Sequence, residues 1–147
     1  MPVETHYVDM GHGAYKHAYG VLTSAELLRC GMMQSQDVEN TQRLKFLFYD
    51  FTDVVEARVG PEVLPQLVEF NRTTASHSQG LLSAVVAPHP AIFGFALKWR
   101  TFVMELGWHV QIFRERREAI DWLLAELEHE KVHSVFLADF PELKPVG

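Results

Sequence analysis

The sharpest chemical spacing in the chain is His129-Glu130-Lys131-Val132-His133, a match to H-E-x-x-H. On one continuous helix the two histidines would lie a turn apart on a single face and could share Zn²⁺, with Glu130 polarising the bound water as general base. Asp139 stands where one zinc-protease variant places a third ligand. Three features oppose that chemistry. Phe136 occupies the position where such proteases turn the chain on glycine, Val132 to Phe136 is β-prone, and only eight residues follow Asp139 to build a cleft. Two solvated histidines at an exposed helix end are the preferred reading, so no metal is expected, and a zinc-dependent hydrolase using His129, Glu130 and His133 is the alternative.

A second group is defined by the elements around it. His89, between Pro88 and Pro90, follows an apolar run at Leu81 to Ala87 that reads as a buried strand. Thr52 and Asp53 follow a similar run at Leu44 to Asp50, and Arg114 follows a shorter one at Trp108 to Phe113. If these strands are parallel, all four residues reach the carboxyl edge of the sheet, where open α/β sheets usually bind ligands. A hydroxyl, a carboxylate, an imidazole and a guanidinium there could orient a small polar or anionic group, and Thr52, Asp53, His89 and Arg114 are the candidate binding residues. Ordinary loop polarity is the competing reading. No nucleophile with an evident base, no glycine-rich phosphate loop and no paired carboxylates accompany them, so no catalytic residue and no cofactor is expected.

Phe93, Phe95, Trp99 and Phe102 make one segment aromatic-rich, with Phe95, Trp99 and Phe102 at helical spacing. Core packing is the first expectation. An apolar ligand pocket between this helix and the sheet, or a hydrophobic face for a partner, is the functional one. Cys30, near Met32 and Met33, reads as a small buried apolar side chain, and Glu115 to Glu118 as a solvated first helical turn. Asn71-Arg72-Thr73 matches a glycosylation sequon.

The elements that would position these residues follow from local pattern. Thr5 to Met10 and Ala14 to Tyr19 alternate around Gly11-His12-Gly13, which predicts an antiparallel hairpin with glycines supplying positive φ. Thr23-Ser24-Ala25-Glu26 has capping-box form and predicts a helix from about Ser24. The polar stretch from Gln34 to Arg43 reads as a loop. Helical patterns then follow each apolar run: one introduced by Gly60-Pro61-Glu62 and delayed or kinked by Pro65, one from Ala91 to Leu106 stopped by Gly107, and one from Glu115 to Leu127. Strand and helix alternate three times, the signature of parallel strands joined by helical crossovers. The fold class is α/β: a mixed sheet of about five strands, an N-terminal antiparallel hairpin plus parallel crossovers, packed with about four helices. Residues 128–147 form a C-terminal extension outside this scheme, in which Val132 to Phe136 could add a strand.

Composition bounds the rest. A chain of 147 residues, 48% hydrophobic and 22% charged, suits one domain. The net charge of −6 argues against a nucleic-acid partner. No apolar run approaches the roughly 18 residues needed to span a bilayer, and no basic-then-apolar leader opens the sequence, so a cytoplasmic protein is expected, with no membrane partner. The single cysteine excludes an intrachain disulfide framework. Pairing between copies of the chain stays open.

The order hairpin, helix, strand, helix, strand, helix, strand, helix resembles the SpoIIAA-like family, related to the STAS domains of anti-sigma-factor antagonists and sulfate transporters. The resemblance runs from about Tyr7 to Leu123. It is carried by Gly20-Val21-Leu22-Thr23-Ser24-Ala25-Glu26-Leu27, Phe48-Tyr49-Asp50-Phe51-Thr52-Asp53-Val54, Ala84-Val85-Val86-Ala87-Pro88, Phe93-Gly94, Val110-Gln111-Ile112-Phe113-Arg114 and Ala119-Ile120-Asp121-Trp122-Leu123. It implies a STAS-like fold and a non-enzymatic binding module for a protein partner or small ligand. In phosphoswitch members a serine begins the helix after the central strand. Here Val59, Gly60 and Pro61 stand there, so the resemblance implies the branch without a phosphoserine switch.

Overall fold

The structure, a computed structural model, describes residues 2–140. Strand β1 (Val3–Val8) pairs antiparallel with β2 (Gly13–Thr23). Helix α1 (Ser24–Gln36) and the single turn α2 (Val38–Thr41) lead to β3 (Phe46–Arg58). Then come α3 (Leu64–His77), β4 (Leu82–Val86), α4 (Pro90–Met104), β5 (His109–Phe113), α5 (Arg116–His129) and the single turn α6 (Val135–Ala138). The sheet order is β1-β2-β3-β4-β5, with every pair after the first parallel. The chain is therefore α/β with a five-stranded mixed sheet. No helix among the described residues is long and apolar enough to cross a membrane.

Alternation along the strands divides the core in two. Leu47, Tyr49 and Phe51 of β3 face α1, α3 and α4, where Leu67, Ile92, Ala96, Trp99 and Val103 close one cluster. Phe46 and Phe48 of β3, with Leu82, Ala84 and Val86 of β4, face the other way against Ala119, Ile120, Leu123 and Leu127 of α5. β4 is buried at every position, as its unbroken apolar run requires of a strand covered on both faces. Thr23 accepts from the Glu26 N–H at 3.3 Å and starts α1 as its spacing predicts.

The hairpin turn differs from expectation. Asp9 and Met10, not only Gly11, adopt positive φ, at +54°, +57° and +91° respectively. Gly13 serves packing instead: a Cβ there would lie 2.1 Å from Cζ of the buried Phe46 ring. β3 also runs eight residues beyond Asp50, where the apolar run ends. The reason is two register shifts against β2, between His17 and Tyr19 and between Gly20 and Val21, each placing an extra residue in β3. β2 keeps its alternation, while the core-facing positions of β3 pass from Phe51 to Val54 to Ala57 in steps of three.

Two further expectations are corrected. The stretch Gln34–Arg43 is not all loop, because Asp37 accepts from the Asn40 N–H and caps α2. Val132 to Phe136 adds no strand. Ser134 caps α6 by accepting from the Leu137 N–H, and Leu137 and Phe140 are buried in the α5 cluster. The carboxylate of Asp9 in the first turn holds this segment, accepting from Ser134 Oγ at 2.5 Å and from the Phe136 N–H at 3.0 Å. Ser134, Leu137 and Phe140 are thus buried with the core, and the segment they belong to is docked on the fold.

Candidate functional site

At the carboxyl end of β4 the longer β2 and β3 project a polar cluster toward α5. Asp50, fully buried, accepts from the Tyr15 hydroxyl at 2.6 Å, from Arg116 Nε at 2.7 Å and from Thr52 Oγ1 at 2.5 Å. Asp53, half-exposed, meets His17 Nε2 at 2.6 Å and Arg116 at 3.1 Å. The first register shift lets both carboxylates, three residues apart, face one side. The hydrogen bond from His17 holds the Asp53 carboxyl below its ordinary range, and the Arg116 charge adds to it against the cost of partial burial. Burial and the Asp50 carboxylate push the Tyr15 phenol up, so it remains a donor. Asp50 is fully occupied by its own neighbours. The cluster clamps the start of α5 to β2 and β3.

Thr52 and Asp53 thus lie together as the sequence suggested, but with Arg116 as their guanidinium. Arg114 instead lies over the Phe93 ring, 4.2 Å from its centroid. His89 caps α4, its Nδ1 accepting from the Ala91 N–H at 3.2 Å. Tyr15, His17 and Asp50 were not singled out from the sequence. The detectable signal was the polar-aromatic alternation Tyr15, His17, Tyr19 on a strand whose other face carries Ala14 and Ala18. The H-E-x-x-H spacing does not form on one helix. α5 ends at His129, and Lys131 takes φ +58°, which turns the chain before His133. Among the described residues no group of three His, Cys, Asp or Glu side chains could hold a metal ion. Asn71 of the sequon is buried, its Oδ1 accepting from Trp99 Nε1 at 2.9 Å. Phe102, expected in the core, is exposed, whereas Trp99 is buried.

On the opposite face of the sheet lies a cavity of about 60 Å³ between the strands and α1, α3 and α4. Its walls are mainly apolar, with Phe51, Leu67, Ile92 and Trp99 among them. Four polar side chains also reach it: Lys16 of β2, Tyr49 of β3, Cys30 of α1 and Asn71 of α3, the last bonded through its Oδ1 to Trp99. Lys16 is 3% exposed and donates to Gln34 Oε1 at 2.6 Å and Thr5 Oγ1 at 3.2 Å, both neutral acceptors. No carboxylate lies within 4 Å of its ammonium among the described residues. Burial draws the Lys16 ammonium below its usual range and pushes the Cys30 thiol and the Tyr49 phenol up. Gln34 continues the network through Tyr7 to Asp37, whose carboxylate accepts from the Tyr7 hydroxyl at 2.7 Å.

Fold and sites together define a five-stranded mixed α/β sheet with a polar clamp on one face and a cationic apolar cavity under the other. No family model, no curated protein and no solved structure matches the chain.

Proposed function

We propose that this chain is a non-enzymatic binding module of SpoIIAA-like type that takes a small, largely apolar ligand into the cavity beneath α1, α3 and α4. One observation carries the reading: an apolar cavity lined by a buried lysine whose direct hydrogen-bond partners are both neutral, the Asp37 carboxylate acting on it only from beyond contact distance. Leaving such a charge unpaired is costly, and groups of this kind concentrate at binding sites. Kinship to the SpoIIAA-like family is supported by the sequential strand order, the antiparallel first pair and the crossovers after β2, β3 and β4. The absence of a phosphoserine switch is supported at the start of α3. Gly60 and Pro61 precede it, the Gly60 N–H is taken by Ser24 Oγ at 3.0 Å, and Thr52 is engaged by Asp50.

The half-exposed Asp53 edge would serve a polar contact with a partner, but Asp50, Thr52 and Arg116 there already satisfy one another. The cavity therefore ranks first. The test is a titration of isotope-labelled protein with butan-1-ol as a neutral apolar probe. Saturable amide shifts centred on Cys30, Tyr49 and Trp99 are expected. A protein whose amides ignore the probe, yet which captures a partner through a surface lost on Asp53→Ala, would replace the ligand reading with the partner reading.

A further inference from the structure

Lys16 and Tyr49 are direct neighbours across the β2–β3 pair and share the face that lines the cavity. An ammonium has three protons, of which Lys16 uses two, on Thr5 and Gln34. The Tyr49 hydroxyl has no hydrogen-bond partner among the described residues, and its ring is held edge-on to Trp99 with centroids 5.7 Å apart. Two donor-bearing side chains on adjacent strands thus line one largely apolar space. Ala14 and Ala18 flank Lys16 on its own strand and leave room for its stem.

Resting on the cavity reading above, we propose that the ligand is a short-chain monocarboxylic acid, bound as its anion with one oxygen on the Lys16 ammonium and the other on the Tyr49 hydroxyl. Charge selects this class. A single cation without a guanidinium or a row of backbone N–H groups matches one negative charge, whereas a phosphate monoester brings nearly two. Size selects the chain length. At about 10–15 Å³ of such volume per water-sized group, the cavity holds roughly four to six non-hydrogen atoms, the scale of propionate or butyrate. The neighbouring groups agree: burial keeps the Tyr49 phenol protonated as a donor and the Cys30 thiol neutral, so neither repels a carboxylate.

The experiment compares butyrate with butan-1-ol at pH 7 by calorimetry and amide shifts, on the wild type, on Lys16→Met and on Tyr49→Phe. The wild type is expected to bind butyrate at least tenfold more tightly than the alcohol. Lys16→Met should abolish that preference while still binding butan-1-ol, which also shows the variant folded with its cavity intact. Tyr49→Phe should reduce the preference severalfold. A wild type that binds the alcohol as well as the acid overturns the carboxylate assignment and leaves the cavity reading standing, as does a preference that survives in Lys16→Met. A wild type that binds neither overturns both.

Discussion

Replacing Leu137 by alanine tests whether the segment after α5 belongs to the core. Leu137 is fully buried in the single turn α6, packed with Phe140 against the cluster of Phe48, Leu123 and Leu127. Truncating a buried leucine removes transfer free energy and leaves a cavity, together costing about 2–5 kcal/mol. For a chain of this length each kcal/mol lowers Tm by about 3 °C, so the expected fall is about 6–15 °C. Val135, in the same turn, is 58% exposed and supplies the control. Val135→Ala should change stability by less than about 0.5 kcal/mol. Urea denaturation followed by circular dichroism measures both, with an unchanged m-value expected in each case. If Leu137→Ala matched Val135→Ala, α6 would not be docked on the sheet, and the tail would be the dispensable extension that its sequence suggests.

Gly13→Ala should cost about 1–3 kcal/mol, since the added methyl meets the Phe46 ring; co-substitution Phe46→Leu should recover part of the loss in the same assay. Arg116→Met leaves the buried Asp50 without its cation and should cost about 3 kcal/mol, near the low end for a broken buried pair because Tyr15 and Thr52 still donate. A cost below about 1 kcal/mol would show that those two hydroxyls suffice. The Asp53 carboxyl is depressed in the folded state, so its contribution is complete above the unfolded value of about 3.9 and is lost as the pH falls through the lower folded value. His17→Asn should move its titration, read by carboxyl carbon NMR, up toward 3.9, and an unmoved midpoint would assign the depression to Arg116 alone.

What the sequence revealed follows how much of each signal was local. Nearly continuous apolar runs marked β3 and β4, a shorter run interrupted by His109 and Gln111 marked β5, and the Thr23 cap marked α1, because strand burial and capping act within a few residues. The far half of β3 was illegible because its two extra residues replace alternation by steps of three, which no short-range period matches. α6 was hidden for another reason: its hold on the fold is Asp9, more than 120 residues away. The site divides in the same way. Thr52 and Asp53 were recognisable from a strand end, but Lys16 read as one polar residue in an alternating strand, its burial being decided by α1, α3 and α4.

The two extra residues of β3 also bear on how this gene can vary. A substitution between Asp50 and Glu56 alters one contact. Loss of Phe51, Thr52 or Val55 would instead remove one bulge and straighten the strand, leaving Asp53 and Val54 on the sides where they already lie. A bulged stretch can therefore lose a residue without turning its neighbours over, and natural variants should differ there in length by one residue as well as in spelling. That tolerance of length, ordinarily the mark of a surface loop, here belongs to the middle of a paired strand.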